Sequence, residues 1–239
     1  MNAQFLAIAR DPQIIPGVHH YCDEWCDYCA VTARCLEYRC TEQMRTDRGL
    51  RRSDPTFATM DEAVSFTREV SAVEGLRTDE LDALLAHPPG QSGVHTSDPL
   101  AELAWEYAER VTMLMGPVAL QWAMESRTPS PGGPTPAETW LWYHLRIYMR
   151  VFRALVARET HAGGQRSDEA RGCGKLALVS IERSLDALAR LPDAFAPGDQ
   201  HELQDILRRL RDGLESRIPD ARAFVRVGID EPAVGTAPI

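Results

Sequence analysis

No apolar run in this 239-residue chain approaches the roughly 20 residues that cross a bilayer, because Glu, Arg or Gln breaks each candidate within a turn or two. A membrane-spanning protein is excluded on this reading. The opening MNAQFLAIARDPQIIPG has a short apolar patch, but it lacks a preceding basic residue, a long apolar core and a small-residue cleavage site, so it fails as a secretory signal. A cytoplasmic location is expected. Positive charge is also short: 26 Lys and Arg stand against 35 Asp and Glu, a net charge of -9, which argues against an electrostatic grip on nucleic acid or anionic lipid.

Several catalytic signatures are missing as well. There is no Gly-x-Ser-x-Gly elbow, and Gly163-Gly164 and Gly172-x-Gly174 lack the strand that would make them phosphate-binding loops. No Glu-x-x-His occurs, which removes the paired ligand motif of ferritin-like di-iron bundles. Nor is there strand alternation long enough for a sheet. At 44% hydrophobic and 26% charged residues the chain is of ordinary globular composition, and its length allows a proper core without covalent staples.

Helical periodicity fills the chain instead. The pattern predicts helices over 60–73, opened by Asp61, and over 78–86, before a loop through His87-Pro88-Pro89-Gly90. A long helix capped by Ser97 or Asp98 follows, with Leu100, Leu103, Tyr107, Val111, Leu114, Val118 and Trp122 on one face and a kink or break at Gly116-Pro117. SRTPSPGGPTP is a loop whose Pro136 suits the first turn of a helix running to about His161, with Leu141, Leu145, Tyr148, Val151, Phe152 and Leu155 inward. Two more helices start at Ser167 or Asp168 and at about Asp199, the second carrying Leu203, Ile206, Leu207, Leu210 and Leu214. The expected fold is all-α: an antiparallel bundle of about four long helices, residues 60–225, with a small N-terminal cysteine-rich metal-binding head, residues 12–45. The tail after Val225 reads as loose.

Cysteine is nearly absent outside that head. Of six, five lie between Cys22 and Cys40, and Cys173 stands alone. In IPGVHHYCDEWCDYCAVTARCLEYRC, Cys22, Cys26, Cys29 and Cys35 have the spacing C-x3-C-x2-C-x5-C. Thiolates this close repel one another, and a bound cation relieves that cost while ordering a segment with little apolar core. The four are therefore expected to bind a metal centre, either a [4Fe–4S] cluster or a zinc ion. Zinc modules more often set two short knuckles a dozen residues apart, and this compact run lacks that arm, which favours iron–sulfur. Tyr21, Trp25 and Tyr28 either shield a cluster or are simply the small core of the head, and Asp23, Glu24 and Asp27 either lower a cluster's potential or form the head's solvated face.

Cys26-x2-Cys29-x5-Cys35 resembles part of the iron–sulfur staple in RecB-type exonucleases of CRISPR adaptation and of the AddB recombination subunit, whose remaining ligand lies far away in sequence. Cys22-x3-Cys26-x-Tyr28-Cys29 is similar to the three-cysteine loop of radical S-adenosylmethionine enzymes, which leave one iron open and use a β/α barrel. Along most of its length the chain resembles uncharacterised bacterial proteins opening IPGxYxYCDxWCxxCxxTxRC, with later helices like YHLRIYMRVFRAL and GKLALVSIERSLDAL. That resemblance implies no particular activity.

Cys40 is read as a spare ligand or a part-buried thiol, Cys173 as a packing residue between two glycines, and His19 or His20 as a substitute ligand. His144, with Tyr148 one turn on, is either a proton-transfer group or metal ligand in a pocket, or a hydrogen-bonded core residue. The leading expectation is an iron–sulfur protein, redox-linked or non-catalytic, whose body docks a protein partner. The alternatives are a structural zinc module on an interaction scaffold, and a cluster-dependent enzyme with a pocket near His144.

Overall fold

Thr135 shows how this chain starts its helices. Its hydroxyl accepts the Glu138 amide at 3.2 Å while the Glu138 carboxylate accepts the Thr135 amide at 2.6 Å. The pair satisfies groups that a helix start leaves orphaned, and Pro136 follows where a missing N–H costs nothing. The computed structural model describes residues 3–51, 54–75, 98–125, 132–160, 166–191 and 197–230. Among them every regular element is helical: α1 (Ala3–Ala9), α2 (Leu36–Asp47), α3 (Met60–Val73), α4 (Pro99–Glu125), α5 (Pro136–Thr160), α6 (Arg166–Ala189) and α7 (Pro197–Arg217), with single 3₁₀ turns at Cys26–Tyr28 and Thr32–Arg34. The chain is all-α, and no helix among the described residues is long and apolar enough to cross a membrane.

The chain divides into two compact units, one of residues up to 75 with 226–230, the other of 98–225. In the second unit each of α4 to α7 packs on the next, and α7 also packs on α4. The periodicity of α7 is realised in full, with Leu203, Ile206, Leu207, Leu210 and Leu214 at 2% exposure or less. The face of α5 is rotated from the expected stripe: Trp140, Tyr143, Ile147, Val151 and Leu155 are buried while Leu145 is exposed. Aromatics decide this, because the Trp140 indole donates to the Tyr107 hydroxyl at 2.9 Å inside the core, so both rings bury their area without an unpaired polar tip. α4 runs unbroken past Gly116-Pro117; one missing donor does not end a 27-residue helix. Asp98 caps it by accepting the Leu100 amide at 2.8 Å. The expected helix over 78–86, the loop at His87 to Gly90, and Gly163-Gly164 lie outside the described residues.

In the first unit α1, α2 and α3 enclose Phe5, Leu36, Cys40, Phe66 and Val70. Phe66 of α3 meets Phe5 edge-on at 5.7 Å. The expected bundle opens at residue 60; α3 packs its apolar face on α1 and α2. The tail expected to be loose is likewise ordered as far as residue 230. Arg226, 6% exposed, pairs with Asp23 at 3.2 Å and Asp230 at 2.8 Å, and Ile229 packs with Ile15, Val18 and Cys35. A buried guanidinium needs carboxylates around it, and this segment finds one beside Cys22.

Candidate metal centre

All four expected ligands lie outside the α-helices. Each 3₁₀ turn delivers a cysteine at its close. The Cys29 amide donates to the Cys26 carbonyl at 3.3 Å, the Cys35 amide donates to the Thr32 carbonyl at 3.1 Å, and both cysteines then leave the turn with extended backbone. Cys35 also stands at the start of α2, where amides point outward. Cys22 sits in a tighter loop, its sulfur accepting the Glu24 amide at 3.3 Å. Glu24 has φ +58°, the left-handed region that non-glycine residues seldom occupy, and it is alone in this among the described non-glycine residues.

The sulfurs lie within one another's field. Burial pushes the Cys26 thiol up to about 12, helped by the charge of Cys22, Cys35, Glu37 and Cys29, although the residue is exposed by area. Protein packed around the sulfur, rather than over it, accounts for both facts. Burial likewise raises Cys22 to about 12, against the opposing Glu24 amide, with Glu37 and Cys35 adding to the rise. Cys35 is raised by burial too, and the Tyr38 amide partly offsets this without forming a capping hydrogen bond. With no cation present these groups hold their protons at neutral pH, so an ion must displace them to bind.

The four sulfurs are not drawn together to single-ion spacing. A zinc ion with Zn–S bonds of about 2.3 Å would place them about 3.8 Å apart. Among the described residues, the group of three ligand atoms all lying within 4.8 Å of one another is formed by His19, His20 and Glu74, and no three cysteines make one. His19 Nε2 is 3.4 Å and His20 Nε2 3.2 Å from the same Glu74 oxygen, Oε2. Burial opposes the Glu74 charge, but its hydrogen bonds to both histidines hold the carboxyl down at about 2. Nδ1 of His19 is buried without a hydrogen-bond partner.

Of the neighbouring candidates, Trp25 and Tyr28 pack edge-on at 5.1 Å beside Cys26, and Asp23 is engaged by Arg226 rather than solvated. Cys40 has no exposed surface and lies among Phe5, Leu36 and Phe66, so it serves the core in place of a spare-ligand role. Cys173 is buried in α6 beside Gly174, where a Cβ would come within 2.9 Å of Ala221, so the small residue permits that close approach. His144 turns Nδ1 back to the Leu141 carbonyl of its own helix, and burial lowers its pKa. A separate cleft of about 430 Å³ has Phe5, Met44 and Phe66 at its base and Asp47, Asp61, Glu62 and Glu69 around it.

The sequence reading missed Glu74, Glu37 and Arg226. Glu74 ends α3 and Arg226 opens the C-terminal turn, so no local spacing ties either to the cysteines. Compared with known families, curated proteins and solved structures, the chain finds no match.

Proposed function

We propose that this protein binds a [4Fe–4S] cluster through Cys22, Cys26, Cys29 and Cys35, and that its second unit, an antiparallel four-helix bundle, docks a protein partner. The supporting observation is that four sulfurs of one loop and two 3₁₀ turns share one electrostatic neighbourhood without closing, three together, to the separation of a single tetrahedral ion. A cubane spreads its four thiolates wider than one ion does, so the lack of any three cysteine sulfurs within 4.8 Å of one another among the described residues favours the larger centre. An amide already aimed at the Cys22 sulfur and the charges of Glu24 and Glu37 nearby are the kinds of groups that set a cluster's potential. Large apolar side chains exposed on α4 and α5, Trp105, Leu145 and Met149, favour a partner on the second unit.

Anaerobic purification followed by metal and sulfide analysis tests this. Brown protein with about four irons per chain is the expected result. Colourless protein with zinc on the cysteines would replace the cluster by a structural ion, and protein with neither would end the proposal. Loss of iron in Cys35→Ala as in Cys26→Ala is expected for four ligands; retention in Cys35→Ala alone would point to an open three-cysteine site and an enzyme.

A further inference from the structure

Three imidazole and carboxylate groups converge on one point that the cysteines do not use. His19 and His20 are adjacent in the loop, with ring centroids 4.4 Å apart and planes at 71°, and both present Nε2 to Oε2 of Glu74. Gly17 makes this possible for His20. Its φ of +68° turns the chain back so that its carbonyl accepts the His20 amide at 3.0 Å, and an added Cβ would stand 3.2 Å from His20 Nδ1. Glu74 arrives from the C-terminal end of α3, where the helix dipole presents its negative pole.

We propose that His19, His20 and Glu74 form a second, mononuclear site for a borderline divalent transition ion such as Zn²⁺. The separations are the first argument. Charge-assisted N–H···O bonds close to about 2.7–2.9 Å, but here the two gaps are 3.2 and 3.4 Å. An ion bound tetrahedrally at about 2.0–2.2 Å from nitrogen and oxygen ligands sets neighbouring ligands about 3.4 Å apart. The donor set is the second argument. Two imidazoles and one carboxylate select zinc, iron, cobalt or nickel over magnesium and calcium, which want oxygen alone. Charge is the third: the Glu37 carboxylate lies within electrostatic reach of both histidines and adds to that of Glu74. Three protein ligands leave a fourth position to water, and His20, with 37% of its side chain exposed, provides the open side.

The test uses the full chain, prepared anaerobically, with Zn²⁺ as the probe. X-ray absorption of the zinc-loaded protein should show nitrogen and oxygen neighbours at about 2.0–2.1 Å and no sulfur at about 2.3 Å. Sulfur in the shell would overturn the site by placing zinc on the cysteines. Competition against a chromophoric chelator should show zinc affinity falling more than about 100-fold in Glu74→Gln while Cys26→Ser keeps it. Unchanged affinity in Glu74→Gln, or loss in Cys26→Ser alone, would also sink the proposal. Because the spectrum of the unaltered protein is read directly, a variant that fails to fold does not decide the matter. Iron and sulfide content, measured on the same samples, reports the four-cysteine site separately.

Discussion

In the second unit, α7 alone contributes five aliphatic side chains at 2% exposure or less, and Tyr107, Trp140, Ile147 and Ile181 of the other long helices are buried as deeply. Beneath the cysteine loop of the first unit, the apolar cluster is Ile15, Val18 and Cys35, joined at its edge by Val31, Tyr38 and Ile229. Much of the remaining order there comes from polar atoms: Arg226 between Asp23 and Asp230, Arg34 donating to the Gln13 carbonyl at 3.0 Å, and the His19–His20–Glu74 group. One unit is held by buried carbon, which needs no ion. The cysteine loop of the other gathers heteroatoms whose cost of burial falls when a cation joins them, while α1, α2 and α3 of that unit keep an apolar core of their own.

The largest expected effect follows from that contrast. Stripping metal from the first unit, by oxidation and chelation of the loaded protein, should remove several kcal/mol of its ordering free energy and leave the second unit standing. Amide hydrogen exchange checks this: protection should fall across residues 13–35 and 226–230 and persist in α5, α6 and α7. Uniform loss across both units would show that they fold as one and would break the comparison.

The reciprocal change comes next. Leu207 has no exposed surface and sits mid-way along α7, so Leu207→Ala leaves a cavity and should cost about 2–5 kcal/mol. Chemical denaturation would measure the loss, and iron content per folded chain should stay at the unaltered value. A parallel fall in iron would mean that the cysteine loop borrows its order from the long helices.

These two responses also mark what the sequence disclosed. A five-residue stripe of leucine and isoleucine at steps of three and four has one way to be buried, so α7 was legible, and Pro136 marked the start of α5, although the Thr135–Glu138 cap beside it went unread. The face of α5 was misjudged because its leucines compete with Trp140 and Tyr143, whose larger area and polar tips settle the rotation, Trp140 donating to Tyr107 and Tyr143 accepting from Arg183. α2 was not foreseen, since its sequence was read for ligands and its apolar positions Leu36, Cys40 and Met44 are few. The four cysteines announced themselves by spacing. Their surroundings did not, because Arg226 reaches Asp23, and Glu74 reaches His19 and His20, only through the folded chain.

Acid should separate the units more finely. Burial works against the charge of Asp98, but the Leu100 amide and the Arg217 guanidinium hold its carboxyl below the usual range. A carboxyl depressed in the folded state stabilises above its unfolded pKa of about 3.9 and loses that contribution as pH falls further. Asp98→Asn, which keeps a capping side chain but loses the charge paired with Arg217, should therefore cost up to about 1 kcal/mol at neutral pH and progressively less below about pH 4, read by thermal melts of the second unit's helices. The first unit should respond at higher pH if it carries the proposed cluster, since thiols raised by burial take protons in competition with iron, and iron loss on mild acidification would register it. Loss of helix before loss of iron would reverse this order.

The smallest effect probes the turn at Cys22. Glu24 holds φ +58°, a conformation that costs a residue with a Cβ about 1 kcal/mol relative to glycine, and from it the Glu24 amide reaches the Cys22 sulfur. Glu24→Ala removes the carboxylate and keeps the strain, whereas Glu24→Gly removes both and still carries the amide. The glycine variant should thus be more stable than the alanine variant by up to about 1 kcal/mol, the gain being trimmed by the extra freedom of glycine in the unfolded chain. Both should hold the same iron, because the group that contacts sulfur belongs to the backbone. Equal stability of the two variants, measured by denaturation of the metal-loaded protein, would mean that the left-handed turn is not fixed in the loaded state, and that the geometry around Cys22 is set by the metal rather than by the chain.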